Sequence, residues 1–175
     1  MDNIVSKLEE VDLSGKDIER ICNNQVKILP YEALMNIKTV DEFFKPYDSV
    51  AILYQTKQNY GHWVAVIRRN NKLVEFYDPY GIPIDTELQL SDYNLRNMGG
   101  VLTPHLSALL KSENYKVISN TTQLQKVKEH INTCGRYVAL RILLKDKPLN
   151  SFNDLLSKNK CYDSDFWVSV LTFLL

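Results

Sequence analysis

The chain has no surplus of either charge: 21 lysines and arginines stand against 21 aspartates and glutamates in 175 residues. A balanced total gives nucleic acid and anionic membrane surfaces no electrostatic reason to bind as primary partners, so neither is expected. Cysteine is scarce. Cys22, Cys134 and Cys161 are widely spaced and form no C-x-x-C pair. Any single bridge would leave one of them over, so reduced thiols and an intracellular setting are expected. No apolar run approaches the roughly 20 residues of a membrane-spanning helix, and residues 1–10 lack the apolar core of a secretory leader. Repeats, low-complexity tracts and Gly/Ser linkers are absent as well. With 45% hydrophobic residues, residues 1–175 are therefore expected to form one domain around one core.

What is present falls into three zones. Residues 1–48 read as helical: Ser14 followed by Asp17 predicts a capped helix to Cys22, and Thr39 followed by Glu42 a second before Phe43 and Phe44. Residues 49–145 begin β-rich. Residues 49–55, 60–68 and 72–77 carry Val, Ile, Tyr, Phe and Trp between breaks, with Arg69, Asn70 and Asn71 as a hairpin turn. Thr103 and Pro104 predict a helix start, and residues 115–119 another strand. A polar loop, 120–133, then runs into a helix in which Val138, Ala139, Ile142 and Leu143 recur at helical spacing. In residues 146–175, Ser151 with Asp154 and then Asp163 open two short helices, and the apolar ending 166–175 is expected to dock on the core. Helices, then strands, then helices predict an α+β fold.

Cys134 stands where the polar loop becomes a buried helix. Free amides and the positive dipole end of a helix stabilise a thiolate, the reactive form of cysteine, and Gly135 would let a substrate backbone approach. Cysteine at a helix start is equally a small apolar filler, so its partners decide. A thiol nucleophile needs an imidazole to take its proton, and that imidazole needs a third group to orient it. Of three histidines, His62 lies in an apolar strand within Gly61-His62-Trp63, where it is either a rigidly placed base or a hydrogen-bonded core residue. His105 follows a helix-opening proline and reads as a surface residue. His130 would share a face with Cys134 only if their segment were helical, which Asn132 and Thr133 oppose.

Asp78 ends a strand before Pro79 and Gly81, a position that also suits plain turn chemistry. A three-residue loop of Arg69, Asn70 and Asn71 sets His62 directly opposite Asp78, whereas a two-residue Asn70-Asn71 turn sets Trp63 there and turns His62 to the other face. A bulge near His62 would restore the first arrangement.

Taken in order, Gly61-His62-Trp63, Tyr77-Asp78-Pro79-Tyr80-Gly81 and Thr133-Cys134-Gly135-Arg136 resemble the adenovirus proteinase (adenain-like) superfamily of cysteine peptidases. The likeness is nearest to the maturation proteases of large DNA viruses, virophages and Maverick-type elements, and covers residues 49–145. The clan also includes the ubiquitin-like-protein proteases. The resemblance implies a central, mostly antiparallel sheet packed against the helix that begins at Cys134, with flanking N- and C-terminal helices. It also implies His62 as base, Asp78 as its orienting acid, Cys134 as nucleophile, and Trp63 as the wall of a narrow substrate channel. Where the family carries its oxyanion glutamine this chain has Val127 and Lys128. The nearest amide donors are Gln125, the expected one, and Gln123, its alternative. Neither a metal nor a cofactor is implied. The implied partner is a protein substrate, namely virion structural precursors cleaved near small residues in the host cytoplasm, nucleus or virion. Removal of ubiquitin-like proteins, acyl transfer on the same triad, and a binding protein with an idle site are the alternatives.

Overall fold

In the computed structural model, residues 2–89, 104–158 and 161–175 are described. The N-terminal part holds helices α1 (Asp2–Glu10) and α2 (Gly15–Ile21), strand β1 (Lys27–Pro30), a 3-10 turn (Tyr31–Asn36) and helix α3 (Val40–Phe44). Strands β2 (Ser49–Lys57), β3 (Tyr60–Asn70) and β4 (Leu73–Tyr77) follow, then a 3-10 turn (Thr86–Gln89), helix α4 (His105–Ser112) and strand β5 (Lys116–Ser119). Helices α5 (Cys134–Leu143), α6 (Leu149–Ser157) and α7 (Ser164–Phe173) complete the described chain. No helix among the described residues is long and apolar enough to cross a membrane.

The five strands lie in chain order, antiparallel at the centre (β2–β3, β3–β4) and parallel at both edges (β1–β2, β4–β5). This is the expected α+β architecture, as a mixed sheet. Both faces are covered, so β2 and β3 read as near-continuous apolar runs rather than as clean alternations. On one face Leu53, Trp63, Ala65, Ile67 and Tyr77 meet α5 through Tyr137, Val138, Ala139 and Ile142. On the other, Ile52, Val64, Val66 and Phe76 meet Phe43, Phe44, Leu106 and Leu110. Every residue of α5 from Cys134 to Ile142 is buried. Two of them are arginines. Arg141, fully buried, donates from Nε to Glu75 Oε1 at 2.6 Å and from Nη2 to Glu75 Oε2 at 3.0 Å, and its Nη1 and Nη2 reach the carbonyls of Leu144 and Lys147. Arg69 binds the same carboxylate.

Local signals fixed several element starts. Ser14 and Asp17 form the expected reciprocal cap, the Thr39 hydroxyl accepts from Glu42 N, and Asp163 caps α7. Elsewhere the structure differs. Strand β1 lies inside the zone expected to be helical: four residues are too few to show a period, and what holds them is parallel pairing with β2. Helix α6 opens two residues before Ser151, with Pro148 as its N-cap. Pro104 caps α4, while Thr103 falls outside the described residues. Docking of the apolar ending holds for buried Val168 but stops before Phe173, Leu174 and Leu175, which are exposed.

The hairpin register is also corrected. Strand β3 runs on to Asn70, which pairs with Leu73, after an irregularity beyond Arg68, so the turn falls at Asn71 and Lys72. Asn70 Oδ1 accepts from Lys72 N at 3.0 Å and steadies that turn. Ala65 pairs with Tyr77, which puts Asp78 level with Val64 rather than His62. Because side chains alternate with period 2, a shift of two residues keeps His62 and Asp78 on one face as a diagonal pair.

Candidate active site

Three elements end at one place: the start of β3, the end of β4 and the first residue of α5. Gly61 lets β3 enter against β2, since a Cβ there would stand 2.0 Å from the Tyr54 carbonyl oxygen. His62 follows it, 8% exposed, and its Nε2 lies 3.1 Å from Asp78 Oδ1 in a hydrogen bond that the carboxylate accepts. Asp78 is fully buried and fixed by its own turn: Oδ1 accepts from Tyr80 N at 2.7 Å, and its carbonyl accepts from Gly81 N at 2.9 Å and from Asn120 Nδ2 at 2.8 Å. Gly81 adopts φ +71°, with the backbone of Thr122 2.8 Å from where a Cβ would be, so the turn requires glycine. The Tyr80 ring stacks on the imidazole at 4.7 Å between centroids.

With Nε2 engaged by Asp78, Nδ1 is the ring nitrogen left for Cys134, which lines the same cleft. Burial opposes charge on His62, yet the hydrogen bonds to Asp78 and Cys134, and the charges of both, outweigh it and raise its pKa from 6.5 to about 10. The sign of the linkage follows. A raised folded-state pKa means that the native protein binds the proton more tightly than the unfolded chain. The added stability is complete below pH 6.5 and is lost as pH climbs through about 10. The melting-temperature gap between wild type and His62→Ala is accordingly expected to shrink from pH 6.5 to pH 10 in thermal scans; a gap that widens over that range would contradict the charged imidazole.

His62, Cys134, Tyr80, Gln125 and Asn132 line a cleft of about 170 Å³. Gln125 is buried, its backbone N–H bound to the Pro79 carbonyl and its Nε2 donating to the Ile131 carbonyl at 3.3 Å. Gln123 is exposed and instead donates to the Gln125 carbonyl. Thr133 makes no side-chain cap; its hydroxyl donates to Asp165 Oδ1 at 2.6 Å. Asp165, on α7, also accepts from Tyr137 Oη and from Lys126 N, tying the mouth of α5 to the loop that carries Gln125. Burial raises the pKa of Asp165.

Trp63 faces away from this cleft and walls a neighbouring groove of about 440 Å³ with Gly15, Ile28, Pro30 and Leu53, while its Nε1 donates to the Leu13 carbonyl. Gly135 does not line the cleft. A Cβ there would meet Leu13 at 3.0 Å and Trp63 at 3.3 Å, so its smallness lets the helix start close onto that wall. The side chain of His130 is 71% exposed and faces Glu129 at 3.9 Å. His105 is half-buried at the start of α4. Cys22 is buried against the Ala139 carbonyl, and burial pushes its thiol up to about 12, a pattern of inertness. Asp165 and Glu87 escaped the sequence reading: Asp165 falls in the first turn of a helix where acids are ordinary, and no element was read around Glu87. Among the described residues, His62, Asp78 and Glu87 are the one trio of metal-capable side chains, with donor atoms within 4.8 Å of one another.

No known family profile matches the chain. In structure it is similar to the ASFV pS273R protease, with a TM-score of 0.51 at 13% identity over 97% of this chain and 69% of that one. A selenomethionine structure of that protease gives 0.50 at 14% identity, over 97% and 70%. At such identities the likeness speaks for the fold. In sequence, the chain is 34% identical over 144 residues to uncharacterized protein V9 of Sputnik virophage, a match that spans 82% of each. An identity of that size over most of both chains places this protein in the family of Sputnik virophage protein V9.

Proposed function

We propose that the chain is a cysteine peptidase that cleaves virion structural precursors during maturation. The observation that carries this reading is an imidazole held by a buried carboxylate in the cleft that a thiol at a helix mouth also lines. In this mechanism Cys134 Sγ passes its proton to His62 and attacks the scissile carbonyl carbon. The oxyanion that forms is received by the Cys134 backbone N–H and the Gln125 side-chain amide. His62 then protonates the leaving amine, the C–N bond breaks, and an acyl thioester remains on Cys134. Water adds to that thioester with His62 as base, releasing the acid and the thiol. Asp78 holds the ring throughout, so that Nδ1 stays with sulfur.

The protease among the fold neighbours and the virophage relative support a viral enzyme with a protein substrate. The test separates the two glutamines. Gln125→Ala is expected to lower kcat on a cleaved virion-protein peptide by about 10²–10³-fold, the usual cost of one oxyanion donor, whereas Gln123→Ala stays within a few-fold of wild type. Equal losses in both would remove the oxyanion assignment. Covalent capture of Cys134 by a ubiquitin-based electrophile, without cleavage of any virion protein, would move the substrate class to ubiquitin-like proteins.

A further inference from the structure

Asp78 is not the sole acid facing His62. The 3-10 turn Thr86–Gln89 brings Glu87 to the same nitrogen: Glu87 Oε1 lies 3.9 Å from His62 Nε2, beside Asp78 Oδ1 at 3.1 Å. Glu87 is 7% exposed and Asp78 fully buried, and among the described residues neither Glu87 Oε1 nor Asp78 Oδ2 has a hydrogen-bond partner. A buried carboxylate oxygen without a donor is costly unless a cation faces it. His62 supplies that cation when it is protonated. Burial first, and then the charge of Asp78, favour the neutral form of Glu87, and His62 alone pulls the other way.

We propose that Glu87 is a positioning residue for the His62 imidazolium, a second carboxylate that shares the charge on Nε2–H with Asp78 and keeps the ring charged when the Asp78 hydrogen bond lengthens. This rests on the reading of His62 as the base that serves Cys134. Before substrate arrives the proton moves only between Sγ and Nδ1; the Nε2 proton stays in place throughout and none passes to Glu87. A second negative group near the ring favours the thiolate–imidazolium pair over the neutral pair, so Glu87 governs how much of the sulfur is ionised before substrate arrives. The other titratable groups around this centre are the Tyr80 hydroxyl, with its ring stacked on His62, the Cys134 thiol, and Tyr60 and Asp12 at the cleft mouth.

Two measurements that need no peptide substrate test the proposal. The first is the His62 titration followed by NMR, and the second is the pH profile of Cys134 alkylation by iodoacetamide. In Glu87→Gln, which keeps the shape of the side chain, the His62 pKa is expected to fall by about one unit, the lower end of what a close opposite charge does. The alkaline limb of the alkylation profile, which reports loss of the imidazolium proton beside the sulfur, should fall by a matching amount. Glu87→Asp should restore part of both shifts. Asp78→Asn should keep a raised His62 pKa that Asp78→Asn/Glu87→Gln loses. A His62 titration unmoved by Glu87→Gln overturns the proposal. So does Zn²⁺ binding by the wild type that Glu87→Gln abolishes while the His62 titration stays fixed, since the trio would then be a metal site. If the chain cleaves no peptide but His62 still responds to Glu87, the peptidase reading fails while the pairing of the two residues stands.

Discussion

Cys134→Ala is expected to abolish precursor cleavage, lowering the rate by roughly 10⁴-fold or more, as removal of the nucleophile of a catalytic unit does. The physical reason is that, among the described residues, no second thiol lines the cleft. Cys22 is buried against a carbonyl, and Cys161 is exposed outside the cleft. His62→Ala should fall with Cys134→Ala, because the two act as a unit and the deficits do not add. His130→Ala is the control and should process normally, since its ring stands in solvent beside Glu129. Co-expression of each variant with candidate virion proteins, read on gels and by mass spectrometry of the new termini, checks all three. Replacing a small buried thiol by a methyl leaves the packing almost intact, so Cys134→Ala should melt within a few degrees of wild type. Processing that survives in Cys134→Ala, or that is lost in His130→Ala while surviving in His62→Ala, would leave the proposed chemistry without its nucleophile or its base.

The second large effect is on stability and lies away from the cleft. Glu75→Ala is expected to cost about 3–5 kcal/mol, because it leaves the fully buried Arg141 guanidinium, and Arg69 beside it, without their carboxylate. For a chain of this size that is a fall in melting temperature of roughly 10 °C or more. Chemical denaturation of the same variant should show a lower midpoint with an unchanged slope. A double replacement, Glu75→Leu with Arg141→Met, should recover much of the loss, since removing both charges removes the uncompensated one. If the single variant melts like wild type, the guanidinium has found water or another acceptor and the network is not what holds α5 to β4.

How much of this was legible in the sequence depended on the range of the interaction. The caps at Ser14, Thr39 and Asp163 were readable because each is made within one turn of its own helix. Cys134, His62 and Asp78 stood out because each sits where an element changes, with glycine or proline beside it. Their meeting was harder to read. It depends on a hairpin register two residues from the expected one, and His62 and Asp78 still share a face only because such a shift preserves it. Strand β1 was invisible, since four residues carry no period and its partner lies more than twenty positions on. Glu87 and Asp165 were hidden for a similar reason. Each is an acid whose burial is imposed by elements distant in sequence, and a string of residues says nothing about which acids a tertiary fold will enclose.

Helix α5 is enclosed on every side from Cys134 to Ile142, which sets where this protein can accept change. The proposed nucleophile, mounted on so confined a pedestal, cannot tolerate much drift beneath it, because each neighbour is a packed side chain. The cleft rim is of another kind: Asn132 and Ile131 come from a polar loop, and Asp12 from the link between two helices. Change can accumulate there at little expense to folding. Substitutions at the rim should therefore alter which peptides enter the cleft at little cost to folding, whereas those beneath Cys134 should unsettle both.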